Sequence, residues 1–401
     1  MRRPKLAYIV TVPTTARVLL RGQLAFMREA GFDVTVIASP GAELELVAQR
    51  EGVGALGIEM PREIDVVRDA KVLLELSRAV GALAPDIVNA STPKAGLLGM
   101  LSACLCRVPI RVYLLRGLRF ELSHGVKGSI LRHCERVAAH AAHRIVCVSE
   151  SVREGFLKEG LASAEKCRVL GAGSSNGVDL ERFDPERVRS ASEELARKLK
   201  IQAGEQIFGF VGRPVADKGS KELMAAWQGI RAKHSSARLL IAGAGFAGDD
   251  LDPELQRWMS ERDDIISVGE VEDVAPYYAL MHALVFPSYR EGFPNVPLEA
   301  AAMGVPTVGF RATGTRDVVL DGTTGLLANV GDADGLQLHL ERYLKESELC
   351  HTHGQNAQRR ARELFDRRRI WELWLNEYQS LLSAAGLPLP TALSSVRRAA
   401  G

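Results

Sequence analysis

Short apolar runs alternate with amphipathic segments along most of the chain. In the first half, the runs KLAYIVTV, DVTVIAS, DIVNAS, IRVYLLRG and RIVCVSE predict strands, and in the second half IFGFVGR, ARLLIAG, IISVGE, ALVFPS, PTVGF and GLLAN repeat the pattern. Segments with helical periodicity lie between them, among them VLLELSRAVGAL, GSILRHCERVAAHAA and SKELMAAWQGIRAKH. This alternation of strand and helix predicts parallel sheets covered by helices on both faces.

The alternation falls into two blocks, separated by the polar segment NGVDLERFDPERVRSASEELARKLKIQAGEQ. At 401 residues the chain exceeds the size at which a single core keeps growing. We therefore predict an α/β protein with two doubly wound, Rossmann-like domains at residues 1–185 and 200–369, facing a central cleft. The run IWELWLNEYQSLL has aromatic and aliphatic residues at helical spacing, and we expect this helix, about 370–385, to pack back on the first domain.

Composition narrows the class of protein. An apolar fraction of 46% and a charged fraction of 25% are ordinary for a globular protein, and a net charge of +2 does not indicate a nucleic-acid binder. The N-terminal apolar run is too short for a signal peptide, and no apolar stretch approaches the roughly 20 residues that span a bilayer. The six cysteines include no C-x-x-C, so we interpret them as buried thiols of a reducing compartment. We expect a cytoplasmic protein.

Candidate chemistry follows two predicted strands of the second half, at the edge where parallel sheets bind ligands. After FGFVG, Arg213 and Lys218 precede a helix with Ser220 as its predicted cap, and two such cations suit an anion such as a diphosphate. After LVF, the segment SYREGFPNVPLEAAAMG places Glu291 on a loop and Glu299 one turn into a helix. The residues alone leave other interpretations open. Arg213 and Lys218 can be cations of a solvated loop, Glu291 can be a solvated loop acid, and Glu299 can be an acid that offsets the helix dipole.

These motifs resemble a known family. FVGRPVADKG, ISVGEVEDVAPYYALMHALVFPSYREGFPNVPLEAAAMGVPTV and GTRDVVLDGTTGLL, with GSSNGVDLERF before them, resemble the retaining, nucleotide-sugar-dependent glycosyltransferases of family 4, which have the two-domain GT-B fold. The E-x7-E pattern from Glu291 to Glu299 is the most specific of them, and the resemblance covers nearly the whole chain. TPKAGLLG and RGLRFE are similar to the branch that builds lipid-linked saccharides for bacterial surface polysaccharides, including lipopolysaccharide.

The resemblance implies a hexosyltransferase that needs no metal or other cofactor. It would move a hexose or N-acetylhexosamine from a nucleotide sugar, with UDP as the expected nucleotide, to a polyprenyl-diphosphate-linked saccharide. The donor-binding residues that it implies are Gly212, Arg213, Lys218, Val271, Glu291, Gly292, Phe293, Pro294, Asn295, Val296 and Glu299. The catalytic candidates are Arg116, Arg213, Lys218 and Glu291.

The implied roles differ among these residues. Glu291, with the backbone that follows it, would hold hydroxyls of the donor sugar, and Glu299 would hold those of the ribose. Arg213 and Lys218 would bind the diphosphate and stabilise it as it leaves, whereas Val271 would lie beside the nucleobase. Fixed cations that meet a developing negative charge lower the barrier without a metal. A glycosidase-like pair of acid and nucleophile is not expected for a reaction with leaving-group assistance.

Two positions depart from the family pattern. Many members have glycines after the first strand, whereas this chain has Thr14 and Thr15, which we expect near a phosphate. Many members have a histidine after the fourth of the predicted strands, where this chain has Arg116. We predict that Arg116 binds an acceptor phosphate or positions the sugar, and that Lys94 also contacts the acceptor.

The acceptor half of the chain contains a basic region. Between Lys94 and Arg144 there are nine Lys or Arg residues against two acids, a net excess of seven. A basic and partly apolar helix suits an anionic membrane surface and a polyprenyl-diphosphate acceptor. We therefore predict peripheral attachment to the inner face of the cell membrane; a solvated helix face explains the same residues.

Other classes share parts of this pattern. Residues 243–248 satisfy G-x-G-x-x-G after a strand, which would fit an NAD- or flavin-dependent oxidoreductase, although the motif lies outside a first βαβ unit. Asp332-x-Asp334 and Asp250-x-Asp252 match a metal-binding D-x-D, but both precede helices, where Asp is a good N-cap. A GT-B nucleotide-sugar 2-epimerase and a non-catalytic two-domain sugar-binding protein are the remaining alternatives; binding proteins do not need the set Arg213, Lys218 and Glu299.

Overall fold

The protein has two compact units in a computed structural model, which describes residues 2–61, 65–123, 125–243 and 253–391. Residues 1–176 and 368–401 belong to unit 1, and residues 177–367 form unit 2. Residues 177–185, which the sequence analysis assigned to the first domain, lie in unit 2. The helix expected at 370–385 lies in unit 1.

Unit 1 contains a seven-stranded parallel sheet with the order β3-β2-β1-β4-β5-β6-β7. Its strands are β1 (Lys5–Ile9), β2 (Asp33–Ala38), β3 (Gly54–Gly57), β4 (Ile87–Ser91), β5 (Ile110–Leu115), β6 (Arg144–Cys147) and β7 (Cys167–Val169). Its helices are α1 (Pro13–Leu19), α2 (Gln23–Glu29), α3 (Ala42–Glu51), α4 (Val66–Leu83), α5 (Pro93–Leu105), α6 (Gly125–Ala141), α7 (Glu150–Lys158) and, after unit 2, most of α16 (Arg367–Ala384).

Unit 2 contains a six-stranded parallel sheet with the order β10-β9-β8-β11-β12-β13. Its strands are β8 (Gln206–Val211), β9 (Ala237–Ala242), β10 (Ile265–Gly269), β11 (Ala283–Phe286), β12 (Thr307–Phe310) and β13 (Gly325–Ala328). Its helices are α8 (Pro185–Lys198), α9 (Ser220–Lys233), α10 (Pro253–Ser260), α11 (Ala275–Tyr278), α12 (Asn295–Ala302), α13 (Thr315–Val318), α14 (Ala333–Lys345) and α15 (Ser347–Leu364).

The predicted pair of doubly wound sheets is confirmed. All described strand pairs in both sheets are parallel, and the central strands are buried on both faces, as the continuous apolar runs require. The sequence analysis did not predict β3, β7 and α1. The first is a short edge strand of small and mostly exposed residues, and the second has three residues, so neither has a strong apolar pattern.

Helix α16 packs on unit 1 through aromatic residues. Trp371 covers Gly22, where an added Cβ would overlap the indole ring, and its Nε1 donates to Asn176 Oδ1 at 2.6 Å. Trp374 and Tyr378 are buried, and the Trp374 Nε1 donates to the carbonyl oxygen of Ser175 at 3.3 Å. The burial of these rings supplies most of the apolar contact that holds a helix of this kind.

Two further expectations can be compared with the structure. Cys147, Cys167 and Cys350 are buried, but Cys104 is exposed on α5, so the interpretation of the cysteines as buried thiols is wrong for this residue. Asp332 caps α14, since its Oδ1 accepts from the backbone N–H of Gly335 at 2.8 Å. Within the described residues, no helix has the length and apolar character needed to cross a bilayer.

Candidate functional site in unit 2

The candidate donor residues lie where the strand order of the unit 2 sheet reverses. Strands β8 and β11 are neighbours in the sheet although they are not consecutive, so the loops that leave their carboxyl ends diverge into helices on opposite faces. Open parallel sheets bind ligands at such a point. Gly212 and Lys218 follow β8, and Glu291 follows β11.

The loop after β8 is built on two glycines with positive φ. Gly212 has φ +134° and faces open space, so backbone at this position is accessible to a ligand. A 3₁₀ turn (Ala216–Lys218) then leads to Gly219, with φ +72°, where an added Cβ would overlap the carbonyl oxygen of Pro287. Helix α9 starts at Ser220 with Gly219 as its cap residue. The prediction of Ser220 as the cap is therefore wrong, because the close approach of the two loops requires the glycine.

Glu291 lies on the loop after β11 and is held by three contacts. Lys218 Nζ donates to Glu291 Oε1 at 2.5 Å, and Ser288 Oγ donates to the same oxygen at 2.7 Å. The backbone N–H of Glu291 donates to the carbonyl oxygen of Thr313 at 3.0 Å. The predicted sugar acid and one predicted diphosphate cation are thus in direct contact, which adds an ion pair that the sequence did not show.

Helix α12 begins at Asn295, beside this ion pair. Its N-cap residue, Pro294, makes no side-chain cap, and its first turn contains no acid, so the positive end of the helix is not neutralised locally. The residues that line one pocket here are Phe210, Val211, Gly212, Lys218, Phe286, Ser288, Glu291, Pro294, Asn295 and Val296. The pocket combines an apolar wall from two strand ends with a cation, an acid and a helix N-terminus.

Glu299 lies one turn into α12, as predicted, and is partly buried. The Tyr278 hydroxyl lies 3.1 Å from Glu299 Oε2 and 3.3 Å from the carbonyl oxygen of Val296, and it donates to these acceptors. Burial raises the pKa of Glu299 to about 7, although the hydrogen bond from Tyr278 and the charge of Arg182 oppose this rise. At neutral pH Glu299 is therefore shared between a neutral and an ionised form.

The other predicted donor residues have varied surroundings. Arg213 is exposed, next to Gly212, and Val271 is partly buried just beyond β10. Phe293 packs on Phe365 with ring centroids 5.1 Å apart, which holds the turn before α12 in place. Gly292 lies against Gly314, and a Cβ added to Gly314 would overlap the carbonyl oxygen of Gly292.

In unit 1 the predicted acceptor residues Thr14, Thr15 and Lys94 each make contacts of their own. Thr14 is exposed and its Oγ1 donates to Glu43 Oε2 at 2.6 Å, and the backbone N–H of Thr15 donates within its own turn. Lys94 is nearly buried, and its Nζ contacts Asp69 Oδ1 at 2.6 Å. The side chains of Thr14 and Lys94 thus both have an acidic partner in the structure.

Two residues near the carboxylates were not found by sequence reasoning. Ser288 is buried and contacts Glu291 from three positions earlier in the chain, so a polar residue directly after a buried strand was the available signal. Tyr278 contacts Glu299 from 21 positions earlier, on α11. No local pattern connects these two residues, because their contact depends on how α11 and α12 pack.

Metal and dinucleotide alternatives gain little support. The described ranges contain no group of three or more His, Cys, Asp or Glu residues placed to hold a metal ion. In the G-x-G-x-x-G motif, Gly243 packs against the backbone of Gly212, and the positions after it, like Asp250 and Asp252, lie outside the described residues.

Comparison with known protein families assigns each unit to a family model. The model described as glycosyl transferase 4-like domain matches residues 14–173, and the model described as glycosyl transferases group 1 matches residues 205–346. The capsular polysaccharide biosynthesis glycosyltransferase CapM of Staphylococcus aureus is 34% identical over 383 residues, which cover 95% of this chain and 98% of CapM. The UDP-Gal:alpha-D-GlcNAc-diphosphoundecaprenol alpha-1,3-galactosyltransferase of Escherichia coli is 27% identical, with 68% of this chain and 70% of that protein covered.

Solved structures show the same architecture. Anabaena Alr3699/HepE in complex with UDP and glucose matches with a TM-score of 0.77 and 19% identity, covering 94% of this chain and 100% of that one. A protein of Listeria monocytogenes described as a putative UDP-N-acetylglucosamine 2-epimerase matches with a TM-score of 0.65 and 14% identity, covering 98% of this chain and 100% of that one. The architecture alone therefore does not separate transfer from epimerisation. The family matches do: this chain belongs to the group 1 and 4-like glycosyltransferases, the family 4 enzymes with the GT-B fold.

Proposed function

We propose that this glycosyltransferase is a retaining, metal-independent enzyme that moves a hexose or N-acetylhexosamine from a UDP-sugar to a polyprenyl-diphosphate-linked saccharide in surface polysaccharide synthesis. The observation that carries the donor assignment is the pocket of unit 2, where Lys218, Glu291 and the N-terminus of α12 meet. A diphosphate needs the cation and the helix N-terminus, and a sugar needs the hydrogen-bond acceptor beside them.

The chemistry of the donor follows from these positions. When the bond from the anomeric carbon to the diphosphate breaks, negative charge rises on the leaving oxygen. Lys218, the exposed guanidinium of Arg213 and the first N–H groups of α12 stabilise that charge where it develops. Glu291 accepts hydrogen bonds from the sugar hydroxyls, and Glu299 accepts them from the ribose.

Relatives support the substrate classes. Two of them are named for diphosphoundecaprenol-linked acceptors, and one of these two is named for UDP-Gal as donor, whereas a mannosyltransferase relative is GDP-mannose-dependent. The nucleotide and sugar therefore require a direct test. We expect released nucleotide from one UDP-sugar of a panel that also contains GDP-mannose, with a prenyl-diphosphate-linked saccharide present. Product with the anomeric configuration of the donor supports retention, and inverted product contradicts it.

Single substitutions test the pocket. Lys218→Ala and Glu291→Ala should each lower kcat/KM at least about 100-fold, since both act on the reacting part of the donor. Lys221→Ala is the matched control, because this lysine is exposed on α9 and lies outside the pocket. Near-normal turnover of the Lys218 and Glu291 variants would contradict the donor assignment.

Attachment to the membrane is the second part of the proposal, and α6 supports it. Val126 and Ile130 lie four residues apart on this helix and are 77% and 46% exposed, and Leu122, in the turn before the helix, is 43% exposed. Lys127 and Arg136 are exposed on the same helix. Apolar side chains flanked by cations bind an anionic bilayer surface through the hydrophobic effect and charge attraction together.

Vesicle sedimentation tests this surface. The protein should sediment with vesicles rich in phosphatidylglycerol and remain in the supernatant with phosphatidylcholine vesicles. The double variant Val126→Ser/Ile130→Ser should lose most of this binding. Leu338→Ser is the control, because this leucine on α14 is 65% exposed, between the values for Val126 and Ile130. Equal sedimentation of wild type and double variant would contradict the assignment of α6.

A further inference from the structure

Arg116 directly follows β5 and has a buried guanidinium without a counter-charge. Its Nε and Nη2 are buried and make no hydrogen bond, and none of the residues that the structure describes forms an ion pair with it. The groups that act on its charge are the hydroxyls of Tyr8 and Tyr378. Burying a charge without a partner costs free energy, which an anionic ligand can recover.

The surroundings of Arg116 remain positive at neutral pH. Burial lowers the pKa of Arg116 only to about 10, so the guanidinium stays charged. Burial also raises the pKa values of Tyr8 and Tyr378 well above their ordinary range, so both hydroxyls stay neutral. The carboxylate that acts on Tyr378 is Glu377, and it is paired with Arg144 at 2.8 Å. The groups that act on the charge of Arg116 itself are the two neutral hydroxyls.

A chain of hydrogen bonds directs one of these hydroxyls. Asn89 Nδ2 donates to the Tyr378 hydroxyl at 2.6 Å, and the Tyr378 hydroxyl donates to that of Tyr8 at 3.2 Å. Each tyrosine has one hydroxyl proton, so the proton of Tyr378 is used within the chain. The O–H of Tyr8 makes no further bond to a residue in the described ranges, which leaves it as a second donor near Arg116.

The position of these donors fits a ligand. Tyr8 lies on β1, Asn89 lies on the adjacent strand β4, and Arg116 directly follows β5, the next strand of the sheet, at its carboxyl end. Ligands of open parallel sheets bind at this end of the strands. Arg116 is partly exposed as a residue, although its Nε and Nη2 are buried.

We propose that Arg116 and Tyr8 form an anion site in unit 1 that takes the diphosphate of a prenyl-linked acceptor. The choice of acceptor rests on the function proposed above, in which the donor diphosphate is held by Lys218 and Arg213 of unit 2. A planar guanidinium donates two parallel hydrogen bonds to a phosphate, and the Tyr8 hydroxyl adds a third. The donor diphosphate is the other source of the same chemistry, and the experiment separates the two.

The test uses direct binding to the full chain by isothermal titration calorimetry. The probes are farnesyl diphosphate, farnesol as the uncharged control, and UDP. Arg116→Gln should weaken farnesyl diphosphate at least tenfold and leave the affinity for UDP within twofold. Tyr8→Phe keeps the ring and removes only the hydroxyl, so it should weaken farnesyl diphosphate about threefold. Arg78→Gln, on α4, is the matched control for the loss of one arginine.

Four outcomes would overturn the proposal. They are a loss of UDP affinity alone, equal losses for both probes, unchanged affinities in Arg116→Gln, and wild-type binding of farnesol as tight as that of farnesyl diphosphate. Failure of the proposed function is a separate result. A wild-type protein that binds farnesyl diphosphate through Arg116 but transfers no sugar would contradict the proposed function and retain the anion site.

Discussion

Lys218 Nζ donates to Glu291 Oε1 across 2.5 Å and so joins the loop after β8 to the loop after β11. Both side chains are largely shielded from solvent, with 29% and 16% of their surfaces exposed. Without a ligand, each neutralises the other. A donor that uses Lys218 for its diphosphate and Glu291 for its sugar replaces one ion pair by two sets of contacts.

This ion pair predicts non-additive losses of stability. Lys218→Ala and Glu291→Ala should each lower the free energy of unfolding, because each leaves a partly buried charge without its partner. The double variant should lose less than the sum of the two, with a coupling free energy on the order of 1 kcal/mol. Urea denaturation of the four proteins measures this coupling. Strict additivity would show that the pair contributes nothing to stability.

Glu299 predicts a decline of stability with rising pH. Its pKa is about 7 in the folded protein against 4.5 as the ordinary value, so the folded state binds the proton more tightly. The free energy of unfolding should therefore fall between about pH 4.5 and pH 7 because of this group. Glu299→Gln removes that dependence, and its stability relative to wild type should improve from pH 5 to pH 8 by on the order of 1 kcal/mol.

Urea denaturation at pH 5 and pH 8 checks this prediction. The groups that act on the Glu299 charge are Tyr278, Arg182 and Asp273, and all of them are retained in the Gln variant. Glu291→Gln serves as the control for the loss of a carboxylate in the same unit. If the difference between Glu299→Gln and wild type is the same at both pH values, the carboxyl of Glu299 is not held in its neutral form.

The close approach of the two loops at Gly219 predicts that a single added methyl group lowers the free energy of unfolding substantially. Gly219→Ala places a Cβ at φ +72°, and this Cβ overlaps the carbonyl oxygen of Pro287, which is backbone and has little freedom to move. We expect a loss of more than about 2 kcal/mol in the free energy of unfolding. Gly204→Ala, at φ +87° with open space around it, isolates the backbone term and should cost about 1 kcal/mol. Equal costs in chemical denaturation would mean that the two loops separate readily.

The hydrogen bond to Tyr378 predicts that removing its hydroxyl group lowers the free energy of unfolding. Tyr378→Phe leaves the buried Nδ2 of Asn89 without its acceptor, so we expect a loss of about 1 to 3 kcal/mol. Tyr277→Phe, which removes a hydroxyl from a partly buried residue of α11, should change stability by less than about 0.5 kcal/mol. Thermal unfolding followed by circular dichroism compares the two. Equal midpoints would show that a water replaces the tyrosine hydroxyl.

The strands of unit 2 could be predicted because they are short apolar runs next to glycine or proline, and most of them are buried along nearly their whole length. In unit 1, β3 could not, since Gly54 and Gly57 give it no apolar pattern. The same limit applies to α1, a helix of seven residues that begins at Pro13 and was not among the predicted helices. Local patterns thus locate elements with a clear apolar pattern and miss short elements that lack one.

The candidate site was predictable as far as neighbours along the chain define it. The loop position of Glu291 and the helical position of Glu299 followed from spacing and from Pro297. The contact between Lys218 and Glu291 could not be predicted, because 73 positions separate them and sheet order brings them together. Asp69 likewise lies 25 positions before Lys94, so the pairing that occupies this predicted acceptor residue appears only in the fold.

The path of the chain through the two units also constrains the order of events during synthesis. Unit 2 is continuous, whereas unit 1 is completed by residues after 367. On a ribosome, Tyr8 and Asn89 emerge long before Tyr378, and all of unit 2 is made in between. Unit 2 can therefore close its core during translation, while the nascent unit 1 sheet keeps the face that α16 covers open until the last helix arrives. Chaperone binding in the cell is expected to be longest for the unit that is synthesised first.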